Sequence, residues 1–203
     1  MEVTWALFAT LCGVAGVLSG YWMTWIQFRR LVRIGVEGVS LATWLLFLWM
    51  GMFWVAYGFA IGRPLVWLGS LPLLPLQAAL VWRLRPHRQP LTVVVTAIAI
   101  LSLSGLTTAL WGWSAGVVGT TIAMFWNRLP QIIELLRDPD VRGVSVSSWS
   151  IGAACSALWV TYYLGLRLWF PMAATIVAMA SNVAIAGLAT WRQRQQARVL
   201  LLA

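Results

Sequence analysis

The sequence predicts an all-α integral membrane protein: seven transmembrane helices in a 3+1+3 arrangement, with two parallel three-helix repeats. Three observations predict it. The 203 residues are 61% hydrophobic and only 9% charged, whereas soluble domains carry about 25% charged residues. Charge-free runs cover 3–28, 38–62, 64–82, 89–127, 143–166 and 168–191, and a helix needs about 20 apolar residues to cross a bilayer core. Finally, "VEGVSLATW" at 36–44 returns as "VRGVSVSSW" at 141–149, 105 positions later, and Trp54, Val55 and Tyr57 recur as Trp159, Val160 and Tyr162. A repeat held in register over such a length marks a duplicated unit.

Five of the runs hold one crossing each, and the 39-residue run 89–127 holds one and begins another, with a break at "WGWSAG" (111–116). The expected helices are 4–28, 39–61, 64–83, 91–111, 115–137, 144–165 and 169–191. The first opens on "MEVTW", which lacks a basic leader, and its apolar run is too long for a signal peptide, so it is expected to stay. In the third, Pro72 and Pro75 are expected to break the helix where Ser70 and Gln77 lie. Broken helices are tolerated at membrane depth where they line a cavity or pack in protein. The chain therefore divides into a first repeat (1–83), a linker helix with its flanking loops (84–114), a second repeat (115–191) and a C-terminal tail (192–203). Three crossings reverse the side on which a chain stands; the linker helix restores it, so the repeats point the same way. Repeats related in this manner place a substrate site near the midplane between them.

The net charge of +9 is a topology signal, and no nucleic-acid partner is expected. All fourteen basic residues are arginines, and eleven (Arg29, Arg30, Arg33, Arg83, Arg85, Arg88, Arg137, Arg142, Arg192, Arg194 and Arg198) fall on one side. Arg63 and Arg167 fall on the other, and Arg128 sits within a helix. The positive-inside rule then sets the N-terminus outside and the C-terminus in the cytoplasm of a plasma-membrane protein. The lipid bilayer is the expected partner. Cys12 and Cys155 fall inside helices and read as small core residues. No metal site, cofactor or catalytic set is expected, and His87 in "RLRPHRQP" reads as a solvated loop residue.

The residues of "RLPQIIELLRDPDVRGVS", with Pro130 and Gln131 ahead of Val141, resemble a PQ-loop motif; "VEGVS", "FWVAYG" and "IGRP" resemble the first repeat of the sugar-translocating SWEET and SemiSWEET proteins. The resemblance covers nearly the whole chain. It implies facilitated diffusion (uniport) of a small solute, a mono- or disaccharide, by alternating access. It implies a sugar site lined by Trp54 and Trp159. The family's sugar-binding Asn, sixteen residues after that Trp, is replaced here by Ser70 and Thr175. The first repeat departs from the motif: Trp25 and Ile26 stand where Pro and Gln belong, with Gln27 one place late.

Read on their own chemistry, Trp54 and Trp159 are a symmetric pair of aromatic walls of the kind that flank flat, partly apolar ligands. Thr120, Asn127, Gln131 and Glu134, at i, i+7, i+11 and i+14, are expected to share one face of helix 115–137. Arg128 lies nine residues before Arg137, about 13 Å deeper at helical rise. Snorkelling toward the cytoplasm is favoured; facing the cavity, Arg128 with Asn127 would suit a small carboxylate or an amino acid. Pro130, in its Pro130–Gln131 motif, loosens its helix as a bending point, and the loss of its partner at Trp25 implies unequal motion of the two halves. Tyr57 with Arg63 and Tyr162 with Arg167 are placed for an outer gate, or for plain interfacial anchoring. No Asp, Glu or His occupies the middle of a helix, which argues against a proton relay. A non-transporting receptor or assembly subunit remains the third reading. Either a monomer or a homo-oligomer is compatible with two complete repeats, and the G16-x-x-x-G20 and G112-x-x-x-G116 pairs can pack within or between chains.

Overall fold

The computed structural model describes residues 2–84 and 90–202, with side chains over 4–84 and 90–198. Arg85, His87 and Arg88 lie outside the described residues. Among those described, every regular element is helical. The chain runs through α1 (Glu2–Arg33), α2 (Leu41–Ala60), α3 (Pro64–Leu68), a 3-10 turn (Leu71–Leu73) and α4 (Leu74–Leu84). It continues through α5 (Pro90–Ile100), a π-helical turn (Leu101–Leu106), α6 (Thr107–Trp111), α7 (Trp113–Trp126), α8 (Leu129–Arg137), α9 (Val146–Gly165) and α10 (Trp169–Leu202).

Five helical stretches among the described residues are long and apolar enough to cross a membrane: Thr4–Arg33, Leu41–Ala60, Pro64–Leu84, Pro90–Trp111 and Trp169–Arg198. The two other expected crossings fall short for separate reasons. Helix 115–137 is divided into α7 and α8 by a turn at Asn127–Arg128. α9 has 20 residues, but Ser147, Ser148, Ser150 and Ser156 dilute its hydropathy. α9 is packed between α1 and α10.

The surface is inverted relative to a soluble protein. Leu11, Leu18, Trp22, Leu91, Trp111 and Val183 are each more than half exposed, while Thr24, Thr43, Ser104, Thr120 and Asn127 are 0% exposed. Water-soluble monomers rarely expose apolar surface so continuously. Long apolar helices wearing such a surface suggest a membrane-embedded protein.

The predicted breaks have local causes. Gly112, at φ 83°, ends α6 and starts α7 inside the expected "WGWSAG" break. Pro72 sits in the 3-10 turn, which parts α3 from α4 just after Ser70. The repeated V-x-G-V-S motif ends in a helix cap each time. Ser40 accepts a hydrogen bond from Thr43 N and starts α2; Ser145 accepts one from Ser148 N and starts α9. The two motif loops touch. Gly143 N donates to Glu37 O at 3.1 Å, and a Cβ on Gly143 would meet that carbonyl at 2.5 Å. A Cβ on Gly38, at φ 75°, would meet Val141 Cα at 2.9 Å.

Residues 192–202, the expected tail, are helical and continuous with α10. Its polar side chains hold the second loop: Arg192 Nη2 donates to Asp138 O at 2.8 Å, Gln193 Nε2 to Val144 O at 2.8 Å, and Gln196 to Pro139 O. The G16-x-x-x-G20 pair packs within the chain, against Trp159 and Cys155 of α9. Apolar clusters fill both ends. Leu31, Trp44, Leu80, Leu135, Val141 and Trp149 lie near the loops, and Phe53, Tyr57, Val66, Tyr162 and Tyr163 lie at the other end.

Candidate functional site

Near the loop end, the two repeats are joined by reciprocal hydrogen bonds. Gln27 Nε2 donates to Gly143 O at 3.1 Å, and its Oε1 accepts from Ser145 N at 3.0 Å. Gln131 does the same across the interface, donating to Gly38 O at 2.6 Å and accepting from Ser40 N at 3.0 Å. One turn deeper, Thr43 Oγ1 donates to Asn127 O, and Ser148 Oγ donates to Met23 O, both at 2.8 Å. All four anchoring side chains are buried.

This arrangement corrects the register read from the sequence. Gln27, taken as one place late, is the spatial equivalent of Gln131, and Trp25 is no counterpart of Pro130. Trp25 is 42% exposed and stacks on Phe28. The physical reason is a connecting loop one residue longer in the second repeat: Gln27 precedes Gly38 by 11 positions, Gln131 precedes Gly143 by 12. That loop is folded around Asp138, which accepts from Asp140 N, and Asp140, which pairs with Arg142 at 2.6 Å. The Arg142 hydrogen bonds hold the exposed Asp140 carboxyl below its ordinary pKa.

Between the latch and the far aromatic cluster lies a cavity of about 160 Å³. Trp54, Ser70, Arg128, Trp159 and Thr175 all line it, so five widely separated sequence candidates converge. Trp159 stacks on Tyr163 with ring centroids 5.4 Å apart. Its ring is wedged between Gly16 and Gly69, where added Cβ atoms would come within 3.0 and 2.7 Å of it. Trp54 is braced edge-on by Phe53 and Tyr57. Ser70 sits in the turn between α3 and the 3-10 segment; Thr175 turns its hydroxyl to Pro171 O at 2.8 Å.

Arg128 does not snorkel. It is 3% exposed and lines the cavity. Its Nε points to Asn182 Oδ1 at 3.4 Å, and its Nη1 donates to Met124 O at 3.0 Å and Asn127 Oδ1 at 2.6 Å. Phe47 lies under the guanidinium, 5.1 Å from ring centroid to Cζ. Asn127 itself does not line the cavity; it is fully buried beside it and positions Arg128.

The expected polar face of helix 115–137 is split by the Asn127–Arg128 turn. Thr120 bonds Ser104 Oγ at 2.8 Å on the linker side, Gln131 joins the latch, and Glu134 lines a separate loop-end cavity with Pro130 and Asp138. Pro130 follows this turn at the start of α8. At the far end, Tyr57 and Tyr162 are each 5% exposed within the aromatic cluster. Arg63 and Arg167, expected beside them as a gate, have exposed side chains at the turns; Arg167 adopts φ 55°.

Three polar lining residues escaped the sequence reading, Ser156, Tyr163 and Asn182, as did apolar wall residues such as Phe47 and Met124. A signal for Asn182 was present, because it follows Thr175 by seven positions and so returns to the same helix face. Asn182 Nδ2 donates to Ser156 Oγ at 3.3 Å, tying α10 to α9 at the cavity wall. Comparison of the chain with protein-family models, curated proteins and solved structures finds no match.

Proposed function

We propose that the protein is a multi-pass membrane carrier that moves one small solute through the central cavity by alternating access. The convergence of Trp54, Trp159, Ser70, Thr175 and Arg128 on one cavity carries this reading. In it, the two three-helix units and the linker form a 3+1+3 arrangement of the PQ-loop kind, with the V-x-G-V-S loops in the cytoplasm and the N-terminus outside. The reciprocal Gln27 and Gln131 bonds support this reading, because they relate the halves by a pseudo-two-fold. A plasma-membrane location follows from the same assignment.

Alternating access requires one end to open while the other holds. The aromatic cluster around Tyr57 and Tyr162 closes one end, and the glutamine latch closes the other. The Asn127–Arg128 turn ahead of Pro130 is the site at which bending is expected. The cavity lies well below the roughly 300–1,000 Å³ of drug-sized sites, which favours a solute of monosaccharide size or smaller over a disaccharide. Flux in this account is downhill. The test is uptake of labelled glucose, lactate and alanine into proteoliposomes. Saturable flux of at least one of them, lost in Trp54→Ala and Trp159→Ala, is the expected result. Absence of flux for every solute would leave a receptor or assembly subunit as the better reading.

A further inference from the structure

A guanidinium buried in an apolar bundle requires compensation, since an isolated buried charge is far costlier than a buried dipole. Around Arg128 the protein supplies dipoles alone: two Asn carbonyl oxygens and the Met124 carbonyl. The chain has five acidic residues, Glu2, Glu37, Glu134, Asp138 and Asp140. None of the five lines the cavity, and the ion pair found among the described residues joins Asp140 to Arg142.

The donor inventory locates the missing partner. Arginine carries five N–H groups. Nη1 is committed to Asn127 and Met124, whereas Nη2 has no acceptor among the described residues. The Nε contact to Asn182 is long at 3.4 Å, at the limit of a hydrogen bond. The Nε and Nη2 edge is therefore a two-pronged donor without a good acceptor, the geometry that matches a carboxylate. Phe47 against the guanidinium face holds the plane of that edge.

We infer that the cavity binds a small monocarboxylate, its carboxylate on the Nε–Nη2 edge of Arg128 and its body between Trp54 and Trp159. One carboxylate is specified because Arg128 is the single cationic side chain among the lining residues described. A small body is specified by the volume of about 160 Å³. A neutral sugar would fill the space and leave the guanidinium without an anion. This assignment names the substrate class of the proposed carrier and rests on reading the cavity as its solute site.

Equilibrium binding to the purified full-length protein in detergent tests it, read by intrinsic fluorescence of the cavity tryptophans. The probes are butyrate and lactate against their neutral isosteres butyramide and lactamide, with glucose as a further neutral solute. Saturable binding of a carboxylate, with its amide about thirty-fold or more weaker, is expected. Arg128→Gln is expected to remove that preference and Arg128→Lys to keep part of it. The wild-type preference decides the matter should Arg128→Gln fail to fold. Amides or glucose binding as tightly as the acids, or no binding of either acid, would overturn the assignment. Carboxylate binding without carboxylate flux would overturn the carrier and leave the assignment standing. Sugar flux without acid preference would do the reverse.

Discussion

Set side by side, the two repeats agree at the latch and disagree at the cavity. Gln27 and Gln131, Thr43 and Ser148, and Ser40 and Ser145 occupy equivalent places and make equivalent bonds. Deeper in, equivalence ends. With the 104-residue offset of the glutamines, Arg128 corresponds to Thr24, which bonds its own helix at Gly20 O. With the 105-residue offset, Asn182 corresponds to Gln77, Ser156 to Gly51 and Tyr163 to Gly58. Most of the polar lining thus comes from the second repeat, while the first supplies Phe47 and Trp54 as apolar wall and Ser70 as a lone hydroxyl. The contrast teaches that side chains bonded to the partner repeat's backbone preserve the pseudo-symmetry, whereas the side chains lining the cavity depart from it.

The comparison can be broken most forcefully at the latch. Gln27→Leu and Gln131→Leu each strand a buried carbonyl and a buried amide, at about 1–3 kcal/mol per group. Denaturation of the detergent-solubilised protein is expected to find both strongly and similarly destabilised. A mild Gln27→Leu beside a severe Gln131→Leu would show that the symmetry is only geometric.

The wall residues sharpen the opposite half of the contrast. Asn182→Leu removes a partner of both Arg128 and Ser156 and is expected to cost about 1–3 kcal/mol. Gln77 is its counterpart, but Gln77 Oε1 is buried without a partner among the described residues. Gln77→Leu should therefore be neutral or stabilising in the same unfolding assay. Smaller again are the helix caps. Ser40→Ala and Ser145→Ala should each lose about 1 kcal/mol, equally, because both cap in the same way.

The least effect belongs to the exposed Asp140–Arg142 pair. Arg142 depresses the Asp140 pKa, so this contribution is complete above the ordinary carboxylate range and fades as pH falls through the depressed value. Exposed pairs contribute little. Asp140→Asn should leave the melting temperature at pH 7 nearly unchanged.

Much of this architecture was legible in the sequence, and the misses share a cause. Charge-free runs, Gly112 and Pro72 located helices and breaks, because lipid crossing and backbone restriction act locally. Pro75 and Gln77, expected at a break, lie inside α4, where a proline in the first turn costs no helical hydrogen bond. Trp54 and Trp159 were found by repeat spacing, which carries long-range information, and Ser70 and Thr175 by a family spacing of sixteen residues from each of them. Gln27 was misregistered because a single extra loop residue shifts alignment without shifting position in space. Arg128 was judged by depth along an unbroken helix; the turn at Asn127 and the amide of Asn182, 54 residues away, decide its direction. Asn182 was missed because matching a family spacing stopped at Thr175 instead of following the helix face onward.

The central claim is that both V-x-G-V-S loops meet at one membrane face, beside a shared cavity. Glu37 and Arg142 are exposed on those loops, whereas the native Cys12 and Cys155 are buried. Glu37→Cys and Arg142→Cys variants, treated with a membrane-impermeant maleimide in intact cells and in inverted vesicles, measure the claim directly. Labelling of both from the same side is predicted; labelling from opposite sides would contradict the account.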